Sequence, residues 1–175
     1  MSTEGIETST EKWRVAREIP GDLATLEALL QLYVHDFSEW LGELPGQEGR
    51  FAATPLERYL DAQDRHAFVL RSSAHALGFA LLSRTSRVSG DPRVMDMTEF
   101  FVVRGARRRG VGRSAACQLF ALFPGAWEVR VMKVNERALA FWRASVGSVA
   151  AFDMGDWTGP SGRAFHVLRF DNRTA

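Results

Sequence analysis

The stretch EFFVVRGARRRGVGRSAACQLF, residues 99–120, decides the reading of the chain. It opens on an apolar run rich in strand formers. It then crosses Arg107-Arg108-Arg109 and two glycines, Gly110 and Gly112. From Val111, apolar residues at Ala115, Leu119 and Leu122 have helical spacing, and Pro124-Gly125 ends the run. A strand thus runs into a helix through a turn loaded with arginine and glycine. Such a helix start leaves backbone N–H groups unpaired and carries positive partial charge. Glycine lets the backbone come close to an anion, and arginine adds forked donors for phosphate oxygens. Together these features predict a pyrophosphate cradle.

Other uses of the same letters fit less well. A basic patch for nucleic acid would carry interleaved aromatics, and the whole chain has a net charge of only +1. Gly105 and Gly110 have the spacing of a triphosphate loop, but Val111 and Gly112 stand where lysine and a hydroxyl residue are needed. Gly110, Gly112 and Ala115 satisfy G-x-G-x-x-A, yet the residues before Gly110 separate it from the strand end that a dinucleotide turn requires.

Outward from this stretch, the chain reads as one α/β domain. Its 175 residues suffice for one full core. Residues 1–11 read as a flexible polar leader and 12–175 as the domain. Alternation in KWRVARE (12–18) predicts a strand, and apolar spacing over 22–42, capped by Asp22, predicts a helix. PLERYLDAQDR (55–65) predicts a second helix. HAFVLRSS and HALGFALLSRTS predict a hairpin, followed by MDMTEFFVV (95–103) as the strand before the cradle. WEVRVMKV (127–134) is a further strand, and NERALAFWRASVG a helix with Asn135 as cap and Gly147 as stop. SVAAFDMGD and RAFHVLRF close the chain as strands. The first three-strand run is expected to be antiparallel and the strand–helix–strand unit around residue 110 parallel.

Composition narrows the setting. One cysteine, Cys117, excludes an intramolecular disulfide and fits a reducing compartment, so a cytoplasmic protein is expected. No apolar run is long enough to span a bilayer, so no membrane association is expected. His35, His66, His75 and His166 lack metal-ligand spacing, and no metal is expected.

These residues resemble the GNAT superfamily of N-acetyltransferases. The stretch at 99–120 is similar to its Q/R-x-x-G-x-G/A motif, and WEVRVMKVNERALAFWRASVG is similar to its later strand and helix. Within the superfamily, the EFFV…RRxGVG…NxxAxxFW wording resembles a subgroup of acetyltransferases with undefined substrates. The resemblance implies a mixed, mostly antiparallel sheet of about seven strands flanked by helices. A V-shaped cofactor cleft would lie between the fourth and fifth strands. Acetyl-coenzyme A would be the cosubstrate and a primary amine the acceptor. Amides of Arg108, Arg109, Gly110, Val111, Gly112 and Arg113 would bind pyrophosphate. Main-chain groups of Val102 and Val103 would pair with pantetheine, and the Val102 amide would polarise the thioester carbonyl. Asn135 and Trp142 would line the thiol end, and Phe101, Arg107, Ser114 and Ala138 would complete the cofactor set. Trp40 and Phe51 fall in a region that often covers the acceptor. Homodimers are common in the family, and a nucleic-acid partner is not expected.

Direct attack by an amine needs a base. Asp96 and Glu99 are the candidates. Simple alternation puts them on opposite strand faces, so one alone would face the cleft. Counting back from Arg107, Asp96 falls where some members carry their catalytic glutamate and ranks first. Trp142 stands where many members have the tyrosine that protonates the thiolate, and indole cannot do this. Ser145, one turn further, is the candidate substitute. The missing tyrosine also supports an alternative, a non-catalytic acyl-coenzyme A-binding or sensing module.

Overall fold

The structure, a computed structural model, describes residues 14–17, 23–60 and 63–173. The expected leader and the Asp22 cap lie outside these residues. The elements in chain order are β1 (Arg14–Arg17), α1 (Leu23–Leu41), α2 (Glu57–Leu60), β2 (Arg65–Arg71), β3 (Ala76–Ser83) and β4 (Val94–Val102). Then follow α3 (Val111–Leu122), β5 (Ala126–Met132), α4 (Glu136–Val146), β6 (Phe152–Thr158) and β7 (Ala164–Asp171). Among the described residues α2 is one turn, shorter than its expected span, part of which falls on the undescribed 61–62. Strand β6 begins at Phe152 rather than near Ser148, and Trp157 and Thr158 belong to it rather than to the turn.

All seven strands form one sheet in the order β1-β2-β3-β4-β5-β7-β6. Every neighbouring pair is antiparallel except β4 and β5. The sheet is therefore mixed and mostly antiparallel, as the element order implies. The turn at Ser72–His75 closes the β2–β3 hairpin, with the Ser72 amide donating to the His75 carbonyl at 2.9 Å.

Alternation along the strands divides the core in two. Towards α3 and α4 the sheet presents Phe68, Leu82, Met95, Met97, Trp127, Val129, Val131 and Leu168, which pack on Leu119, Phe120, Trp142 and Val146. Towards α1 and α2 it presents Val69, Phe79, Leu81 and Phe101, which pack on Leu26, Leu29, Leu30, Val34 and Tyr59. Full burial of an aliphatic or aromatic side chain contributes about 1.5–3 kcal/mol. The sheet with its two helical layers thus carries most of the stability.

One irregularity positions the site. Leu81 pairs with Glu99, but Leu82 pairs with Met97, so Thr98 is an extra residue in β4. This β-bulge bends β4 and resets its alternation. Beyond it, β4 follows β3, while β5 follows β7 as far as Met132 opposite Phe165. The parallel pairing of β4 with β5 covers only Val94–Met97 against Ala126–Val129. Past those residues the two strands part and leave a wedge.

Candidate active site

The wedge opens into a cleft of about 2200 Å³. One wall belongs to α3 and α4, the other to α1 and the β6–β7 turn.

The α3 wall is built from backbone. After β4, a 3-10 turn over Arg104–Ala106 leads to extended Arg107. Arg108 and Gly110 then take left-handed conformations, with φ of 63° and 81°. Gly110 caps α3 without any side-chain hydrogen bond. A glycine suits that φ, which strains other residues. Ser114 is the first residue of α3 whose amide finds a carbonyl of the turn, Gly110 O at 3.1 Å. The amides of Val111, Gly112 and Arg113 precede it in the first helical turn and have no intrahelical acceptor. Gly112 packs close: a Cβ there would lie 3.2 Å from Phe141 Cε2 and 3.4 Å from Val102 Cγ2. Its lack of a side chain brings these amides against the end of β4. The donor set fits a pyrophosphate.

The cofactor residues expected from sequence divide into groups. Phe101, Val102, Arg107 and Arg108 line the cleft, as do Gly110, Gly112 and Arg113. Asn135, Ala138 and Trp142 line it from the α4 side. Arg109 is exposed outside the lining, Val111 is buried beneath the turn, and Ser114 accepts from Gln118 Nε2 at 3.4 Å. Arg107 is turned away from the cradle. Its Nη2 donates to Asp36 at 2.6 Å and its Nε to the Val102 carbonyl at 2.8 Å. Arg104 Nε donates to the other Asp36 oxygen at 2.9 Å. The loop is therefore tied to α1 by two arginines on one carboxylate.

Val103 corrects a sequence expectation. Its amide donates to Leu77 O at 2.8 Å and its carbonyl accepts from the Ala106 amide at 2.9 Å. Both main-chain groups are committed, and Val103 does not line the cleft. Strand alternation turns the N–H and C=O of Val102 the other way, into the wedge. Arg107 occupies the carbonyl, which leaves the Val102 N–H facing the cleft.

The opposite wall is built from side chains. Because of the bulge, Asp96 and Glu99 share the α1 face, opposite Ser83 and Leu81. The expectation of opposite faces fails because Thr98 adds one residue between them. The two acids differ in setting. Asp96 is fully buried, accepts from the Arg87 amide at 2.8 Å and pairs with Arg130 Nη2 at 3.3 Å. It does not line the cleft. Glu99 does line it, half-buried, and accepts a hydrogen bond from the Tyr33 hydroxyl. Burial raises the Glu99 carboxyl above the usual carboxylate range, against the lowering effect of the Tyr33 bond and of Arg130 and Arg87. Burial, reinforced by the Glu99 charge, pushes the Tyr33 phenol well above its ordinary value, so it remains an O–H donor.

Ser145 does not reach the site. It is fully buried, and its Oγ donates to Phe141 O at 2.9 Å within α4. Trp142 is 5% exposed, with ring centroids of Phe141 and Phe100 at 4.9 and 5.0 Å. It closes the inner end of the cleft as a packing residue. Asn135 Oδ1 accepts from the Ala138 amide at 3.0 Å and caps α4 as its sequence position predicts. Trp40 lines the cleft mouth, whereas Phe51 packs against the α1-side core and exchanges hydrogen bonds with Gln31.

Sequence reasoning missed Tyr33, Arg87 and Arg130 as cleft residues. Tyr33 sits in a run of apolar helical positions and has no mark of its own. Arg130 does carry a signal: it interrupts an apolar strand, WEVRVM, on the face opposite buried Val129 and Val131.

This architecture is that of an acetyltransferase. Residues 26–147 match the model of the Acetyltransferase (GNAT) family, and the chain belongs to that family. The fold is shared with solved acetyltransferases. The ribosomal-protein-S18-alanine N-acetyltransferase of Escherichia coli aligns at 11% identity over 91% of this chain and 94% of its own, with a TM-score of 0.62. An acetyltransferase of Thermus thermophilus aligns at 19% identity over 91% and 97%, with a TM-score of 0.64. An aminoglycoside acetyltransferase in complex with coenzyme A and kanamycin aligns at 16% identity over 91% and 95%, with a TM-score of 0.65. No curated protein sequence matches the chain.

Proposed function

We propose that the protein transfers the acetyl group of acetyl-coenzyme A to a primary amine by direct attack, with Glu99 as the base. The observation that carries this reading is Glu99 itself. Of the two β4 carboxylates it is the one that lines the cleft, three residues before the Val102 N–H, and Tyr33 fixes its orientation. Asp96 is committed to Arg130 and the Arg87 amide, so it acts as a positioning residue.

The chain's own groups divide the work. Amides at the start of α3, with Arg108 and Arg113 beside them, hold pyrophosphate oxygens. The Val102 N–H donates to the carbonyl oxygen that gains negative charge as the amine adds. Glu99 takes the proton that the ammonium loses, and its raised pKa brings it nearer the working pH, where a general base is most effective. Acetyl-coenzyme A supplies an activated acyl group and a thiolate that leaves readily. The buried Trp142 indole cannot protonate that thiolate, and Ser145 does not reach it, so solvent at the open cleft provides the proton.

A purely acyl-coenzyme A-binding module would have no need for a desolvated carboxylate with a dedicated hydrogen-bond donor in the wedge. Thiol release from acetyl-coenzyme A, measured over a panel of amines, tests the proposal. Turnover with at least one amine, lost in Glu99→Gln while coenzyme A still binds, is expected. Tight binding with no turnover of any amine would favour the binding module instead.

A further inference from the structure

The acceptor half of the cleft holds two guanidinium groups next to Glu99. Arg130 projects from β5 on the face it shares with Asp96, and its side chain is only 8% exposed. Its bond to Asp96 is long, at 3.3 Å. Its Nε is buried and has no hydrogen-bond partner among the described residues. The guanidinium lies 5.8 Å from the ring centroids of both Trp157 and Phe165, which line the same cavity. Arg87 reaches the cleft from the loop after β3. Its amide is bound to Asp96, and Arg87 itself is exposed, so its guanidinium reaches the cleft from solvent with no ion pair or hydrogen bond among the described residues.

Two cations therefore stand beside two carboxylates that are already engaged: Asp96, bonded to Arg130 and to the Arg87 amide, and Glu99, held by Tyr33. The other acids of this wall do not compensate them. Asp36 is held by Arg104 and Arg107, and Glu43 lies 3.7 Å from Arg163. Glu39 stands at the exposed mouth. A buried guanidinium with an unused donor is costly, and an anion that enters the cleft would offset that cost. Guanidinium forks match a carboxylate well. A second ammonium on the acceptor would instead meet like charge.

Building on the transfer reading above, we propose that the acceptor carries its own carboxylate: it is a small amino acid, its amine at Glu99 and its carboxylate between Arg87 and Arg130. Trp157 and Phe165, with Phe37 and Trp40 nearer the mouth, supply an apolar surface for its side chain. Arg87 and Arg130 are then the residues that set acceptor class, by attraction to the carboxylate and by repulsion of polycations.

The test compares phenylalanine, phenylalaninamide, phenethylamine and spermidine as acceptors under saturating acetyl-coenzyme A. Charge-assisted hydrogen bonds predict kcat/KM about 10- to 100-fold higher for phenylalanine than for phenethylamine. Arg87→Gln, which keeps the backbone bond to Asp96, should cut that ratio several-fold, the remainder being held by Arg130. A second measurement does not depend on turnover: calorimetric binding of N-acetylphenylalanine and its amide to the coenzyme A-loaded protein. The free acid should bind about 10-fold more tightly, and Arg87→Gln should narrow the difference. Turnover of spermidine, phenethylamine or the amide at least as fast as phenylalanine would overturn the acceptor proposal while leaving acetyl transfer intact. Carboxylate-selective product binding without turnover of any amine would do the reverse. Absence of both turnover and selective binding would overturn both.

Discussion

The two walls of the cleft are made from different material. The α3 wall is one short stretch of chain that works through its backbone. Val102, Gly110 and Gly112 stand close in sequence, and the turn alone aims their amides. The α1 wall works through side chains brought from far apart: Tyr33 and Glu99 meet across 66 residues. A backbone site is set by φ angles and by the absence of a Cβ, so it is sensitive to few positions. A side-chain site depends on register, packing and the charges around it, so it is where members of one fold family can differ in chemistry.

Substitutions can break this contrast at graded strength. Glu99→Gln is expected to lower kcat by on the order of 10²–10⁴-fold. Coenzyme A affinity, a property of the other wall, should be unchanged. Stability should not fall. The folded-state pKa of Glu99 is raised by burial, so stability falls as pH rises from the unfolded-state pKa to the folded-state one and stays lower above it, and glutamine removes this cost. Thiol release, calorimetry and thermal melting read the three effects separately.

Asp96→Asn should act in the opposite manner. It leaves Arg130 buried without its counter-charge, which costs about 3–5 kcal/mol. At about 2–4 °C per kcal/mol for a chain of this size, Tm should fall by roughly 10 °C. A melt-neutral Asp96→Asn with abolished turnover would restore Asp96 as the base. On the backbone wall, Arg113→Glu puts a negative group beside the cradle and should weaken coenzyme A about 10- to 100-fold by calorimetry. It is a cleaner probe than Gly112→Asp, whose Cβ would also crowd Phe141 and Val102.

Smaller effects sharpen the comparison further. The Tyr33 hydrogen bond lowers the Glu99 pKa against the larger effect of burial. Tyr33→Phe should therefore move the acid limb of the kcat/KM profile to higher pH, with a loss of only several-fold at the plateau. Ser145→Ala removes a hydroxyl bonded inside α4 and should leave the profile in place. A lost basic limb in that variant would show that Ser145 reaches the thiolate after all.

The strand–turn–helix was legible because local rules govern it. An apolar strand, glycines at a helix start and flanking arginines suffice to predict unpaired amides aimed at an anion. The Asn135 cap and the order of strands and helices follow from equally local patterns. The other wall was not legible, and one residue shows why. Alternation predicts Asp96 and Glu99 on opposite faces, and Thr98 cancels the prediction by bulging out of the ladder. Nothing in MDMTEF announces a bulge, because it arises where β4 must follow β3 while β5 follows β7. Val103 was misread for a related reason, since only the pairing with Leu77 shows which edge its amide faces.

From its sequence alone, this protein has a strand–turn–helix suited to an anion inside a mixed α/β domain, and a resemblance that names acetyl-coenzyme A. Those features rest on contacts between residues close in the chain. Only the tertiary structure decided which carboxylate faces the wedge, that a tyrosine from α1 serves it, and that two arginines stand beside it. Each of these depends on where separate elements meet, and that is set by sheet register and by the cost of burying charge, which no single segment encodes.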